Sequence, residues 1–170
     1  MKYLSLLIIA LGLCLSSCSS NDEPKADVQV NIYDSFIPAS IILNRTDTEL
    51  IEECKKFSSQ TFIVNSKEEL PQDPFGTDET FSKIGYNNQS LLICYQVHSY
   101  DIISYDNKFI KNNTEKTYDW NVTLGINGDK VDSFEQLIFT RYAILVPKLP
   151  QNAQLKVWFG VRSYSWDWDE

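Results

Sequence analysis

The chain has 170 residues, a formal net charge of −8 and an apolar fraction of 43%, with 13% aromatic residues. Such a composition supports a sizeable core and excludes a disordered chain. The acidic balance, without any basic cluster, argues against nucleic-acid partners and against direct attraction to anionic lipid headgroups.

The start of the chain has the proportions of a secretory signal. Lys2 supplies a positive charge, and the apolar run over residues 3–15 follows it. A membrane-spanning helix needs about 20 apolar residues, so this run is too short to span a bilayer. We predict a signal peptide over residues 1–17.

The end of this segment, Leu-Ser-Ser-Cys over residues 15–18, resembles the bacterial lipobox. In that pattern the cysteine thiol is acylated and the chain is cut just before it. The resemblance implies lipidation of Cys18 and a membrane partner through that anchor, because two or three acyl chains hold a protein stably. The alternative is a plain secretory signal with an incidental cysteine.

Residues 18–26 form a polar, acidic, proline-containing segment that we interpret as a flexible tether. Acidic residues just after the lipidated cysteine resemble the surface-export signal of lipoproteins from Gram-negative anaerobic glycan degraders. Ser19, next to the cysteine, fits outer-membrane sorting. These features imply a surface-exposed outer-membrane lipoprotein, with residues 27–170 as a single domain.

Two cysteines remain once Cys14 leaves with the signal and Cys18 carries lipid. Cys54 and Cys94 have two interpretations. In an exported protein they can pair, and such a bridge adds about 4 kcal/mol by the chain-entropy model. Alternatively they are separate buried thiols, because both lie on apolar faces.

One segment has a clear helical pattern. Thr46 and Glu49 have the spacing of a capping box, and apolar residues follow at helical spacing, which predicts a main helix over residues 47–57. A similar signature over residues 66–70 is stopped by Pro71. Residues 72–86 are predicted to be a loop that holds up to one turn of helix.

Alternating or continuous apolar residues predict strands in the rest of the chain. The predicted strands cover residues 28–33, 61–64, 91–97, 102–105, 108–110, 117–126, 137–146 and 155–162. A turn is predicted at Asp106 and Asn107. The run over 137–146 is apolar at most positions, as in a central strand covered on both faces. We predict an α+β fold, a mostly antiparallel β-sheet or sandwich with one main helix.

Three segments resemble the PrcB-like domain, named after an accessory subunit of a bacterial surface protease. Residues 62–70 resemble its strand and Ser-x-x-Glu turn, 88–93 its next strand and 142–148 its closing strand. The likeness spans residues 60–161 and departs from that family at 97–100, where a glycine pair is usual. It implies a role as accessory or inhibitor of an envelope protease, and it transfers no catalytic residue.

The sequence gives no pattern for catalysis, for a metal site or for a cofactor. His98 is the only histidine, and no nucleophile motif surrounds a serine. Zinc requires several His or Cys ligands at short spacing. We therefore expect a satisfied structural histidine at His98, no bound metal or cofactor, and no enzymatic activity.

The C-terminus is the remaining candidate. If it is extended, Tyr164, Trp166 and Trp168 share one face. Flat aromatic side chains can stack on the apolar face of a sugar ring, so these three residues form a candidate ligand-binding platform. The alternative is that they pack on the core. The functional prediction is a non-catalytic binding or accessory module that contacts a glycan or an envelope protein.

Overall fold

The computed structural model describes residues 26–44, 46–76, 78–127 and 136–164. Its strands there are β1 (Val28–Gln29), β2 (Asp34–Leu43), β3 (Thr61–Val64), β4 (Gln89–His98), β5 (Ile102–Asn112), β6 (Thr117–Asn127), β7 (Leu137–Pro147) and β8 (Leu155–Tyr164). The helical segments are α1 (Thr48–Ser58), a 3₁₀ turn (Lys67–Glu69) and the short α2 (Glu79–Ser82). The predicted α+β fold, mostly antiparallel with one main helix, is confirmed.

Two sheets and helix α1 form three layers. Sheet A has the strand order β1-β5-β6-β8, and sheet B has the order β2-β7-β4-β3. An apolar cluster that includes Trp120 and Tyr142 fills the space between the sheets. A second cluster, which includes Cys54 and Tyr95, lies between the other face of sheet B and α1. The outer face of sheet A contributes to neither cluster.

Strand β7 is central in sheet B, with β2 on one side and β4 on the other. Its residues 139–146 are all buried. This agrees with the prediction from its apolar sequence, because a strand covered on both faces needs no polar alternation. Thr140 and Arg141 are the polar residues in this buried stretch, and each has specific partners.

Helix α1 lies within one residue of its predicted bounds, but the predicted capping box does not form. Asp47 occupies the N-cap position, and its side chain makes no capping hydrogen bond. The helix is instead held by its amphipathic pattern, since Cys54 is buried against sheet B while Glu52 and Lys55 form an exposed ion pair. In the described part of the chain, no helix is both long and apolar enough to cross a bilayer.

The predicted turn at Asp106 and Asn107 is wrong, because β5 runs without interruption through both residues. The Asn107 side chain explains why a turn-forming dipeptide is kept in a strand. Its amide nitrogen donates to Ser35 Oγ over 2.7 Å, and its amide oxygen accepts from Trp120 Nε1 over 2.9 Å. These contacts join distant segments, so the local pattern could not reveal them.

Edge strands account for two further features. Pro38 lies in β2 at a register shift between Phe36 and Ala39, which an edge strand tolerates because it lacks one pairing partner. Strand β8 pairs with β6 in parallel and ends sheet A. β8 is thus an edge strand, one of whose faces packs inward.

Candidate functional site

The predicted C-terminal platform falls partly outside the described residues. Trp166 and Trp168 lie beyond the last of them, as Cys18 lies before the first. Tyr164 ends β8 and is 40% exposed. Its ring approaches Gly125 of the neighbouring strand, because a methyl group placed on that glycine would lie 2.7 Å from Tyr164 Cε2. Tyr164 therefore belongs to the outer face of sheet A and not to the core.

The register of the strands defines this outer face residue by residue. Leu155, Val157 and Phe159 pack inward, so the alternate residues of β8 point outward. Neighbouring positions form rows across the sheet. Running from β5 through β6 to β8, the rows are Ser104–Gly125–Arg162, Asp106–Thr123–Gly160, Lys108–Asn121–Trp158 and Ile110–Asp119–Lys156.

Trp158 is the most exposed aromatic side chain on this face. It is 57% exposed, and no aromatic ring in the described ranges stacks on it. The sequence does contain a signal for an outward Trp158, since this residue alternates with the inward residues of β8. The predicted platform was instead placed on the three aromatic residues at the C-terminus. The indole of Trp158 offers solvent both an apolar ring and an N–H donor, which makes Trp158 a candidate ligand contact.

The space beside Trp158 is open. Gly160 is the next outward residue, and a methyl group placed there would meet nothing closer than Thr123 Oγ1 at 3.9 Å. Gly125, one row further, is the opposite case, because a methyl group there would lie 2.1 Å from Ser104 Oγ. Among the described residues, the surface therefore has open space at Gly160, between Trp158 and Arg162 along β8, which we call the bare strip.

Hydrogen-bonding groups of both kinds surround the strip. Lys108 and Arg162 carry donors, and neither forms an ion pair within the described ranges. Asp106 contributes an acceptor, and Asn121 and Thr123 contribute both. A hydroxyl-rich ligand uses this mixture well, because each hydroxyl both donates and accepts.

The end of the face near the Ile110–Asp119–Lys156 row holds polar atoms that lack partners among the described residues. Thr117 Oγ1 and Asp119 Oδ1 are buried, with no hydrogen-bond partner among the described residues. Lys156, in the row of Asp119, donates instead to Glu115, and this hydrogen bond is the main reason that the pKa of Lys156 is raised. Polar atoms beneath the surface of a sheet are normally satisfied by protein or by water.

Arg141 forms a second cluster of polar contacts, on the face of sheet B that points away from sheet A. Its guanidinium lies between the rings of Phe75 and Phe81, 4.8 Å from each centroid. Nη1 is 3.3 Å from Asp73 Oδ2, and Nη2 is 2.7 Å from Asp78 Oδ2. The cluster therefore ties the segment that carries both aspartates to the sheet.

The carboxylates of this cluster are fully engaged. Asp73 Oδ2 also accepts from Tyr95 Oη over 2.7 Å, and the other Asp73 oxygen accepts from the backbone nitrogen of Phe75. Burial, followed by this hydrogen bond to Asp73, raises the pKa of the Tyr95 hydroxyl. The Asp78 oxygen that does not contact Arg141, Oδ1, accepts from the backbone nitrogen of Thr80. Because these carboxylate oxygens all have partners, the contacts of Arg141 with Asp73 and Asp78 suit a structural role, and we call them the Arg141 clamp.

Two cavities flank the Arg141 clamp, with volumes of about 410 Å³ and 380 Å³. Asp78, Phe81 and Arg141 line both of them. Because both terminal nitrogens of Arg141 and both carboxylate oxygens of Asp78 already have partners, a ligand that bonds to them in either cavity would have to compete with the clamp. Sequence reasoning missed Arg141, and the signal was a lone arginine within the most apolar strand.

His98 is buried, and both of its ring nitrogens have hydrogen-bond partners, as the sequence predicted. Nδ1 lies 2.8 Å from the Tyr100 carbonyl oxygen, so Nδ1 carries the proton and donates. Nε2 then accepts from the Thr140 hydroxyl over 2.9 Å, and Thr140 in turn accepts from Ser40 Oγ over 2.8 Å. Burial lowers the pKa of His98, and the Tyr100 carbonyl and Asp101 only partly oppose that effect.

Cys54 and Cys94 are free thiols, and the bridge considered as one interpretation is not formed. Cys54 belongs to the cluster beneath α1, whereas Cys94 belongs to the cluster between the sheets. Successive side chains of a strand point to opposite faces, so sheet B separates the two sulfur atoms. Burial raises the pKa of both thiols.

Within the described ranges, no three His, Cys, Asp or Glu side chains are grouped so that they could hold a metal ion. Comparison of the chain with protein-family models, with curated proteins and with solved structures gives no match. The functional interpretation therefore depends on the residues themselves.

Proposed function

We propose that this chain is a non-catalytic carbohydrate-binding module of the cell envelope, held to the outer membrane by lipid on Cys18. Its ligand surface is the outer face of sheet A. The observation that carries the proposal is the position of Trp158, an indole 57% exposed on a polar sheet face that no other described element covers.

The chemistry of sugars explains this choice of ligand. A pyranose ring has an apolar face of C–H groups and a rim of hydroxyls. The indole of Trp158 can bury the apolar face, and the amide of Asn121 and the hydroxyl of Thr123 can bond to the rim. Tyr164 adds a second aromatic side chain to the same face.

The anchor supports the same function. The residues between Cys18 and Val28 reach at most about 35 Å when fully extended. A lipid on Cys18 would therefore keep the module near the membrane surface, where it can capture glycan for envelope proteins. Metabolic labelling with a fatty-acid analogue tests this part, with label expected on the wild-type protein and absent from Cys18→Ser. An unlabelled wild-type protein would contradict the anchor.

The ligand class is tested with the detergent-extracted protein on an array of neutral and anionic glycans. We expect binding to a defined group of glycans. If the wild-type protein binds none of them, the proposal of carbohydrate binding is wrong. The same outcome, combined with capture of an envelope protease from the extract, would favour the accessory role that the PrcB-like resemblance implies.

A further inference from the structure

We propose that the ligand is a neutral oligosaccharide that lies along β8 and crosses the bare strip at Gly160, with one sugar ring stacked on Trp158 and hydroxyls of a later ring bonded to Arg162. This inference rests on the proposed function. It adds a direction, a minimum length and a charge to the ligand.

The direction follows from the space on the face. Trp158, Gly160 and Arg162 are successive outward residues of one strand. Between the two large side chains, a methyl group on Gly160 would have Thr123 Oγ1 at 3.9 Å as its nearest neighbour. In contrast, the crosswise path from Trp158 meets the side chain of Asn121 and then that of Lys108, which lie in the same row. A chain on the indole therefore has its free path along the strand.

The length follows from the strand geometry. Outward residues repeat at about 7 Å along a strand, so Trp158 and Arg162 are about 13 Å apart and Tyr164 is about 20 Å from Trp158. A single sugar ring on the indole is shorter than the backbone separation between Trp158 and Arg162. Engagement of both side chains requires several linked sugars.

The charge follows from a balance on the face. Among the described residues, Lys108, Arg162, Asp106 and Asp119 form no ion pair, while Lys156 is paired with Glu115. On this face, two cations and two anions without an ion-pair partner therefore balance each other in charge. A uronate or sulfate group would gain one contact and meet one repulsion, so a neutral chain fits this face better.

The test uses Gly160→Leu and a series of neutral oligosaccharides, from disaccharide to hexasaccharide, of the type that the wild-type protein binds on the array. Gly85→Leu is the matched control, because Gly85 also has open space around it but lies in the loop before β4. Both glycines lack a positive φ angle, so a side chain is compatible with the backbone at each.

We expect the affinity of the wild-type protein to rise with chain length and to exceed that for oligouronates of equal length. Gly160→Leu should lose about tenfold or more of that affinity without a change in melting temperature, while Gly85→Leu should bind normally. Length-independent binding, a preference for oligouronates, or normal binding by Gly160→Leu would each overturn this inference and leave carbohydrate binding intact. Absence of any binding by the wild-type protein would instead overturn the proposed function.

Discussion

The ring of Tyr164 lies over Gly125 of the adjacent strand, where a methyl group would come within 2.7 Å of Tyr164 Cε2 and 2.1 Å of Ser104 Oγ. Both distances are shorter than any ordinary contact of a Cβ atom. The absence of a side chain at Gly125 is therefore what allows the tyrosine ring to lie against β6.

This contact gives a matched pair of substitutions. Gly125→Ala should destabilise the fold by about 1–3 kcal/mol, because Ser104 and Tyr164 must both move to admit the methyl group. Gly160→Ala, on the next row, should be within about 0.5 kcal/mol of the wild-type protein. Denaturant unfolding measures both, and equal stabilities of the two variants would contradict the described outer face.

Arg141→Met should cost about 3–5 kcal/mol of unfolding free energy, because it removes the cation from two carboxylates, one of which is 1% exposed. Lys83→Met is the control, since the Lys83–Glu79 pair is exposed and should contribute little. Adding Asp73→Asn to Arg141→Met should recover part of the loss. A loss of unfolding free energy no larger than that of Lys83→Met would show that Arg141 does not hold the segment with Asp73 and Asp78 to the sheet.

The stability of the protein should fall as the pH is lowered through the His98 titration. Because burial holds the pKa of His98 below 6.5 in the fold, the unfolded chain binds the proton first and acid favours unfolding. The stability contribution is complete above pH 6.5 and is lost as the pH falls towards the lowered value. Below pH 6.5, the melting temperature of the wild-type protein should fall more steeply with decreasing pH than that of His98→Gln. Parallel pH profiles would contradict the buried, neutral histidine.

The two free thiols should be protected in the fold and available after unfolding. Their raised pKa values and their burial both slow the reaction with a thiol reagent. In denaturant without reductant, Cys54 and Cys94 should both react. If neither reacts until a reductant is added, a disulfide joins them and the described separation by sheet B is wrong.

Local patterns were sufficient for most of the fold. Leu50, Cys54 and Phe57 recur at helical spacing, and β7 is a continuous apolar run, so helix α1 and the central strand could be predicted. The Asp106–Asn107 dipeptide shows the limit. Its turn preference is local, whereas the bonds from Asn107 to Ser35 and Trp120 that keep it extended are not.

The candidate site was harder to predict for a related reason. Alternation along β8 placed Trp158 opposite the core residues, but only the strand order shows that this face lies on the outside of sheet A. Arg141 is the reverse case. Its partners Asp73 and Asp78 lie more than sixty positions away, so no spacing pattern connects them.

The most direct measurement of the central claim is the affinity of Trp158→Ala for a glycan that the wild-type protein binds, taken together with the melting temperature. Because the indole is 57% exposed, the substitution should leave the stability within about 0.5 kcal/mol of wild type and reduce affinity about tenfold or more. Tyr33→Ala is the control, since Tyr33 is 53% exposed but precedes β2 and lies outside the rows of the outer face. Unchanged affinity for Trp158→Ala, or a large loss of stability without a specific loss of binding, would contradict the account.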